Sequence, residues 1–216
     1  MNVMEMFSLE GKVALVTGGA GLYGQQIVAA LAEAGAQTII ASRHVGPLED
    51  LAKQHRAEGK KVFAHRLDQS SERSVLELRD FVLDEFDRVD VLVNNAVARP
   101  MSGWDDDVEN FEQSMKVNAT GIFLMTRAFG EPMGDQESGS IINISSIMGM
   151  IGVEPTNYRG TDLGGFIPDY FFHKGGMINF TRLCASYFGD CDVRVNCVSP
   201  GGLYNDQPEP FVRQYS

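Results

Sequence analysis

Lys12-Val13-Ala14-Leu15-Val16-Thr17-Gly18-Gly19-Ala20-Gly21-Leu22-Tyr23-Gly24 is the stretch that decides the fold. Lys12–Thr17 reads as a buried strand, and the glycines follow it without a break. A helix begins at once over Leu22–Ala34, with apolar residues at Ile27, Val28, Leu31 and Ala32, and Gly35 ends it. Glycine allows a tight turn and brings backbone N–H groups close to whatever sits at the positive end of the helix. A pyrophosphate fits that place, so Gly18, Gly21, Leu22, Tyr23 and Gly24 are candidate cofactor contacts.

The same rhythm continues outward. Gln37–Ala41 reads as a second strand, Pro47–Glu58 as a helix closed by Gly59, and Lys61–Leu67 as a third strand. Ser71 caps a helix running to about Phe86. Strands follow at Val89–Val93, Ser140–Ile144 and Val193–Val198, with a helix over Tyr170–Gly189 before the last. Alternating strands and helices predict an α/β chain with a parallel, doubly wound sheet in three layers, α/β/α. Residues 1–216 are long enough for one core, and no linker or repeat divides them. The segment Ile147–Asp169 breaks the rhythm: it is rich in Gly and Pro, and a loop of that length is usually functional or disordered.

Composition narrows the function. A formal charge of −11 with no basic cluster argues against nucleic acid or an anionic membrane as partner. No apolar run is long enough to span a bilayer, and Met1–Gly11 lacks the apolar core of a secretion signal. Cys184, Cys191 and Cys197 form no pairing pattern, as expected in a reducing cytoplasm. His44, His55, His65 and His173 lack metal-ligand spacing, so no metal is expected. The expected partner is a small-molecule substrate.

Two further features carry chemistry. About 20 residues beyond the glycines, an acidic residue would grip the ribose 2′-hydroxyl of NAD. Ser42 and Arg43 stand there instead, a hydroxyl and a guanidinium suited to a 2′-phosphate. NADP is therefore the expected cofactor, with NAD as the alternative. Tyr170 and Lys174 are four residues apart, on one face of a helix, where an ammonium favours the phenolate.

These residues together resemble the short-chain dehydrogenase/reductase family, in its single-domain Rossmann-fold branch. The resemblance runs through the glycine turn, Asp68, Asn94-Asn95-Ala96, Asn118, Ser145-Ser146, Tyr170/Lys174 and Ser199-Pro200-Gly201, in that order. It implies an oxidoreductase moving hydride between NADP(H) and a carbonyl or secondary alcohol. Tyr170 would be the general acid/base, Lys174 would lower its pKa and hold the nicotinamide ribose, and Ser146 would bind the substrate oxygen. Asn118 would hold a water relaying protons to Lys174. Asp68 would contact adenine, Asn94 and Ala96 would line the cofactor, and Pro200 and Gly201 would flank the nicotinamide. A homo-oligomer, dimer or tetramer, is the family expectation.

Four departures stand out. The turn reads Gly-x-x-Gly-x-x-Gly, as in the extended, nucleotide-sugar-handling branch, and Val97 replaces a common Gly. The Ser146-to-Tyr170 interval is longer than usual by about one ~11-residue element. Tyr158 lies nearer the usual spacing, but Asp162 stands where its lysine would be, which rejects it as the acid. Family members usually continue beyond a point like Ser216 with a helix and a final strand, so those elements are expected to be missing. The 147–169 loop and Gly201–Pro208 look like a subgroup tied to bacterial surface-sugar modification, and like gluconate 5-dehydrogenases, implying a sugar or sugar acid. Two alternatives are a sugar-nucleotide epimerase or dehydratase with retained NAD, and a catalytically silent NADP-binding regulator.

Overall fold

The computed structural model describes residues 2–216. A short helix α1 (Val3–Met6) precedes β1 (Val13–Thr17), α2 (Leu22–Glu33), β2 (Gln37–Ser42), α3 (Val45–Ala57) and β3 (Val62–Arg66). Then come α4 (Glu72–Phe86), β4 (Val91–Asn94), α5 (Val108–Met115), α6 (Gly121–Asp135) and β5 (Gly139–Ile144). The last elements are α7 (Pro168–Phe188), β6 (Val193–Val198) and α8 (Glu209–Tyr215).

The six strands among the described residues form one parallel sheet in the order β3-β2-β1-β4-β5-β6. Every residue of β1 is buried, which is why this strand is uniformly apolar up to its terminal Thr17 rather than alternating. Its register sets Leu15 beside Ile39 on one side and beside Leu92 on the other. Helices cover both faces. Leu78 and Val82 of α4, Met125 and Phe129 of α6, and Phe188 of α7 pack with Leu15 and Ile141 on one side. Val28 and Ala32 of α2 and Leu48 and Ala52 of α3 pack with Val16 and Ile40 on the other. The strand order reverses between β1 and β4, where neighbouring connections leave in opposite directions. A crevice opens at the carboxyl ends of the strands at such a point.

The starts of β1 and β4 are clamped by one buried carboxylate. Asp90, 5% exposed, accepts from the Val13 N–H, from Lys12 Nζ at 3.0 Å and from both nitrogens of an Arg88 fork. Burial pushes its pKa up, but these bonds outweigh it and hold the carboxyl below its ordinary value.

Expected and observed boundaries differ in ways that have physical causes. Helix α3 starts at Val45, two residues before Pro47, because a first-turn proline forfeits an N–H that has no helical partner. Helix α4 starts as expected, with Ser71 Oγ accepting from Ser74 N–H. Strand β4 begins at Val91 rather than Val89, because Val89 bonds through its N–H and C=O to the Gln136 amide. The expected loop at 147–169 carries two 3-10 turns, Ile147–Gly149 and Pro155–Tyr158, and its last residues already belong to α7.

Candidate active site

A cleft of about 870 Å³ lies over the carboxyl ends of the strands. That volume is within the range of small-molecule and cofactor sites. Its floor is the glycine turn. Gly18 has φ +68°, and a Cβ there would come 2.9 Å from Ala96 Cα. A Cβ on Gly24 would overlap the Gly18 carbonyl oxygen and stand 2.8 Å from the Gly19 oxygen. Only glycine lets α2 begin this close to the strand. Gly21 is the N-cap of α2, with no side-chain cap bond, so first-turn N–H groups face the cleft without a side chain competing for them. This cradle fits the diphosphate of a dinucleotide.

Two residues outside the expected set build that floor. Thr17 Oγ1 accepts from the N–H groups of Asn95 and Ala96, at 3.1 and 3.0 Å. Asn95 Nδ2 donates to the carbonyls of Thr17 and Gly18. Asn95 lines the cleft, whereas Asn94 lies below it, 1% exposed, joined to Asn143 Oδ1 and Thr126 Oγ1. Asn94 therefore does not line the cofactor cleft as the motif implied. Asn94 ends β4, and the chain turns immediately after it, with the Asn95 N–H bonding to the Val93 carbonyl and to Thr17 Oγ1; a motif alone does not show that turn. Gly19 was also missed: a Cβ there would meet Ile40 Cβ at 2.8 Å.

At the end of the cleft beside β2 and β3, Ser42, Arg43 and Asp68 all line it. Asp68 Oδ1 accepts from the Ser70 N–H and hydroxyl. The Ser70 hydroxyl, more than the nearby charges of Arg43 and Lys116, keeps its pKa low against burial. Arg43 makes no ion pair among the described residues.

At the other end, α7 carries Tyr170 and Lys174 into the cleft one turn apart. Lys174 is 3% exposed; its Nζ donates to the Ile144 carbonyl at the end of β5 and lies 5.8 Å from the Tyr170 ring centroid. Burial, then the Arg99 guanidinium, pushes Lys174 down to about 8. Burial also pushes His173 down to about 3, so this imidazole is neutral at physiological pH. The two serines part ways. Ser145 Oγ donates to the Lys174 carbonyl at 2.8 Å and is spent on structure. Ser146 Oγ accepts from the Met148 N–H at 3.1 Å, which leaves its hydrogen free to donate into the cleft.

Asn118 sits in a π-helical turn, Lys116–Thr120, a deviation that often marks functional positions. Its side-chain amide is committed to the Ala98 N–H and C=O and to Ser114 Oγ, with no hydrogen bond to Lys174. It holds in place the wall that carries Ala96 to Arg99.

The roof comes from the irregular segments. Tyr158 packs on Phe211 of α8 at 5.3 Å, and Gln214 Nε2 donates to the Arg159 carbonyl. Tyr215 Oη accepts from the Gly202 N–H, and Tyr23 Oη donates to the Gly201 carbonyl. Pro200, Gly201, Tyr158 and Tyr215 all face the cleft. Of the residues read from sequence, all but Asn94 and Asn118 line it.

Among the described residues no cluster of His, Cys, Asp and Glu has the makings of a metal site, and no helix is long and apolar enough to cross a membrane. Residues 12–214 match the short chain dehydrogenase family, and the chain belongs to it. The class is that of oxidoreductases acting at alcohol or ketone groups. The chain is 32% identical over 207 residues to a 3-oxoacyl-[acyl-carrier-protein] reductase of Synechocystis, covering 94% of this chain and 79% of that one. It is 30% identical over 210 residues to the 2-dehydro-3-deoxy-D-gluconate 5-dehydrogenase of Bacillus subtilis, covering 96% and 77%. A gluconate 5-dehydrogenase from Burkholderia cenocepacia, solved with NADP and tartrate, superposes with a TM-score of 0.84 at 25% identity, covering 95% of this chain and 76% of that one.

Proposed function

We propose that the chain moves a hydride between NADP(H) and a carbonyl or secondary alcohol, sugars and sugar acids included. The observation that carries this reading is the convergence of the glycine cradle, Arg43, Ser146, Tyr170 and Lys174 on one cleft. When bound, the nicotinamide gives or takes the hydride at C4. Everything else falls to the chain. The Ser146 hydroxyl donates to the substrate oxygen and polarises it. Tyr170 gives that oxygen a proton in reduction and takes one in oxidation. Lys174, its Nζ 5.8 Å from the Tyr170 ring centroid, holds the nicotinamide ribose. Asn118 fixes the Ala98 wall and, through a water, feeds protons toward Lys174. Arg43 meets the 2′-phosphate, Asp68 the adenine, and Pro200 and Gly201 the nicotinamide. The 147–169 segment and the chain after Gly201 shape substrate choice. The Bacillus and Burkholderia relatives support a hydroxylated, acidic substrate class.

The test is nicotinamide absorbance with a panel of sugar acids, ketoses and simple ketones, NADPH and NADH side by side. Tyr170→Phe should lower kcat by ~10²–10⁴, the usual worth of a positioned proton donor. Arg43→Asp should move the NADPH/NADH ratio of kcat/KM at least tenfold toward NADH, equivalent to about 1.4 kcal/mol. An active Tyr170→Phe enzyme would remove Tyr170 from the chemistry. An unchanged ratio would remove Arg43 from cofactor choice.

A further inference from the structure

Asp169 stands directly before Tyr170, in the first turn of α7, and lines the cleft. It is 1% exposed, and its Oδ1 has no hydrogen-bond partner. It forms no ion pair among the described residues. His173, one turn on and on the same helix face, also leaves both ring nitrogens without partners, so the two do not satisfy each other. The positive end of α7 eases a carboxylate at this position but supplies no donor to its side chain. A buried carboxylate with no donor is costly, and such groups persist where a ligand completes them.

The opposite polarity lies nearby. The Arg99 guanidinium stacks over the Tyr170 ring, 5.0 Å from its centroid, and also makes no ion pair among the described residues. The lining of the cleft beside Tyr170 thus includes an unpaired acceptor and unpaired donors. A hydroxyl can answer both, because it donates and accepts. A simple ketone has nothing to give Asp169.

We propose that Asp169 is a specificity-determining residue of the substrate pocket, its carboxylate accepting a hydrogen bond from a hydroxyl on the carbon next to the reacting one. It selects vicinally hydroxylated substrates: ketoses, sugar acids and polyols. The inference rests on the oxidoreductase reading above and names the substrate feature that the site reads.

Matched pairs test it: tartrate against malate in oxidation, and 2-hydroxycyclohexanone against cyclohexanone in reduction, each with the holoenzyme. Wild type should favour the member with the extra hydroxyl by ~10² or more in kcat/KM, since a site built to bond a hydroxyl rejects the analogue lacking it. Asp169→Asn, which still accepts but without charge, should give a smaller ratio, and Asp169→Ala should bring it within a few-fold of one. Melting temperature and NADPH affinity of both variants report folding separately. A ratio that survives in Asp169→Ala, or a wild type with no preference, overturns the assignment of Asp169 alone. Equal loss on both members of a pair, with a lower melting temperature, assigns Asp169 a structural role and also overturns it. If wild type turns over neither pair nor anything else in the panel, the oxidoreductase reading fails first and takes this inference with it.

Discussion

Gly24→Ala adds one methyl group where α2 leaves the glycine turn. The new Cβ would overlap the Gly18 carbonyl oxygen and lie 2.8 Å from the Gly19 oxygen, against an ordinary contact of 3.4 Å or more. Both obstacles are backbone, so no side chain can swing aside. The helix must back away from the turn by at least about 0.6 Å, the difference between those two distances. Overpacking of this kind costs ~1–3 kcal/mol. In a domain of this size each kcal/mol lowers the melting temperature by about 2–4 °C, so a fall of roughly 2–12 °C is expected. The same shift pulls the first-turn N–H groups of α2 away from the proposed diphosphate position. Misplacement on the ångström scale costs about 10²-fold, so NADPH affinity should fall by one to two orders of magnitude. Thermal melting followed by circular dichroism and NADPH fluorescence titration read the two effects independently. Gly46→Ala is the control: a Cβ there meets nothing within 4 Å, and the residue is helical without positive φ. It should be neutral or stabilise by up to about 1 kcal/mol. A Gly24→Ala protein that melts with wild type and binds NADPH equally well would refute the reasoning about the turn.

Two further outcomes concern charge. Lys174, held near 8 by burial and Arg99, binds its proton less readily folded than unfolded, where its pKa is 10.5. Wild-type stability without cofactor should therefore rise with pH between about 8 and 10.5, and the full penalty, on the order of 3 kcal/mol, applies below 8. Lys174→Met should abolish activity, flatten that slope in denaturant titrations and raise stability at neutral pH, less about 1 kcal/mol for the lost bond to Ile144; a flat wild-type slope would contradict this. Asp90→Asn should cost roughly 2–4 kcal/mol at pH 7, since it strips the charge from a buried clamp on two strands. Because the folded pKa of Asp90 is depressed, the wild-type advantage should be complete above the unfolded value, about 3.9, and fade as pH falls through the folded one. An advantage unchanged at pH 3 would show that the carboxylate is not the source.

Strand, turn and helix were legible because their causes are local. The run Val13–Thr17 is apolar because β1 is covered on both faces, and the glycines after it, Gly18 above all, are demanded by a backbone that only glycine can follow. Ser71 could be read as a cap because a cap acts within three residues. The Tyr170/Lys174 spacing was legible for the same reason, since helical periodicity alone puts the two residues on one face.

The site itself was decided by contacts between segments far apart in the chain. Ser145 and Ser146 are equivalent in sequence, and only the packing of α7 against the end of β5 turns one toward the Lys174 carbonyl and leaves the other in the cleft. Asn94 and Asn95 are likewise separated by the end of β4, which leaves Asn94 bonded to Asn143 below and Asn95 bonded to Thr17 at the turn. Gly19 matters because of Ile40 on the neighbouring strand, and Arg99 because Tyr170 lies beneath it. Asp169 read as the end of a loop, while the fold makes it a buried carboxylate with no donor. The sequence by itself determined the sheet, the glycine turn and the Tyr170/Lys174 pair, each governed by short-range periodicity and backbone sterics. Only the tertiary structure decided which polar neighbours face the cleft, because burial and hydrogen-bond partnership are properties of segments brought together by packing.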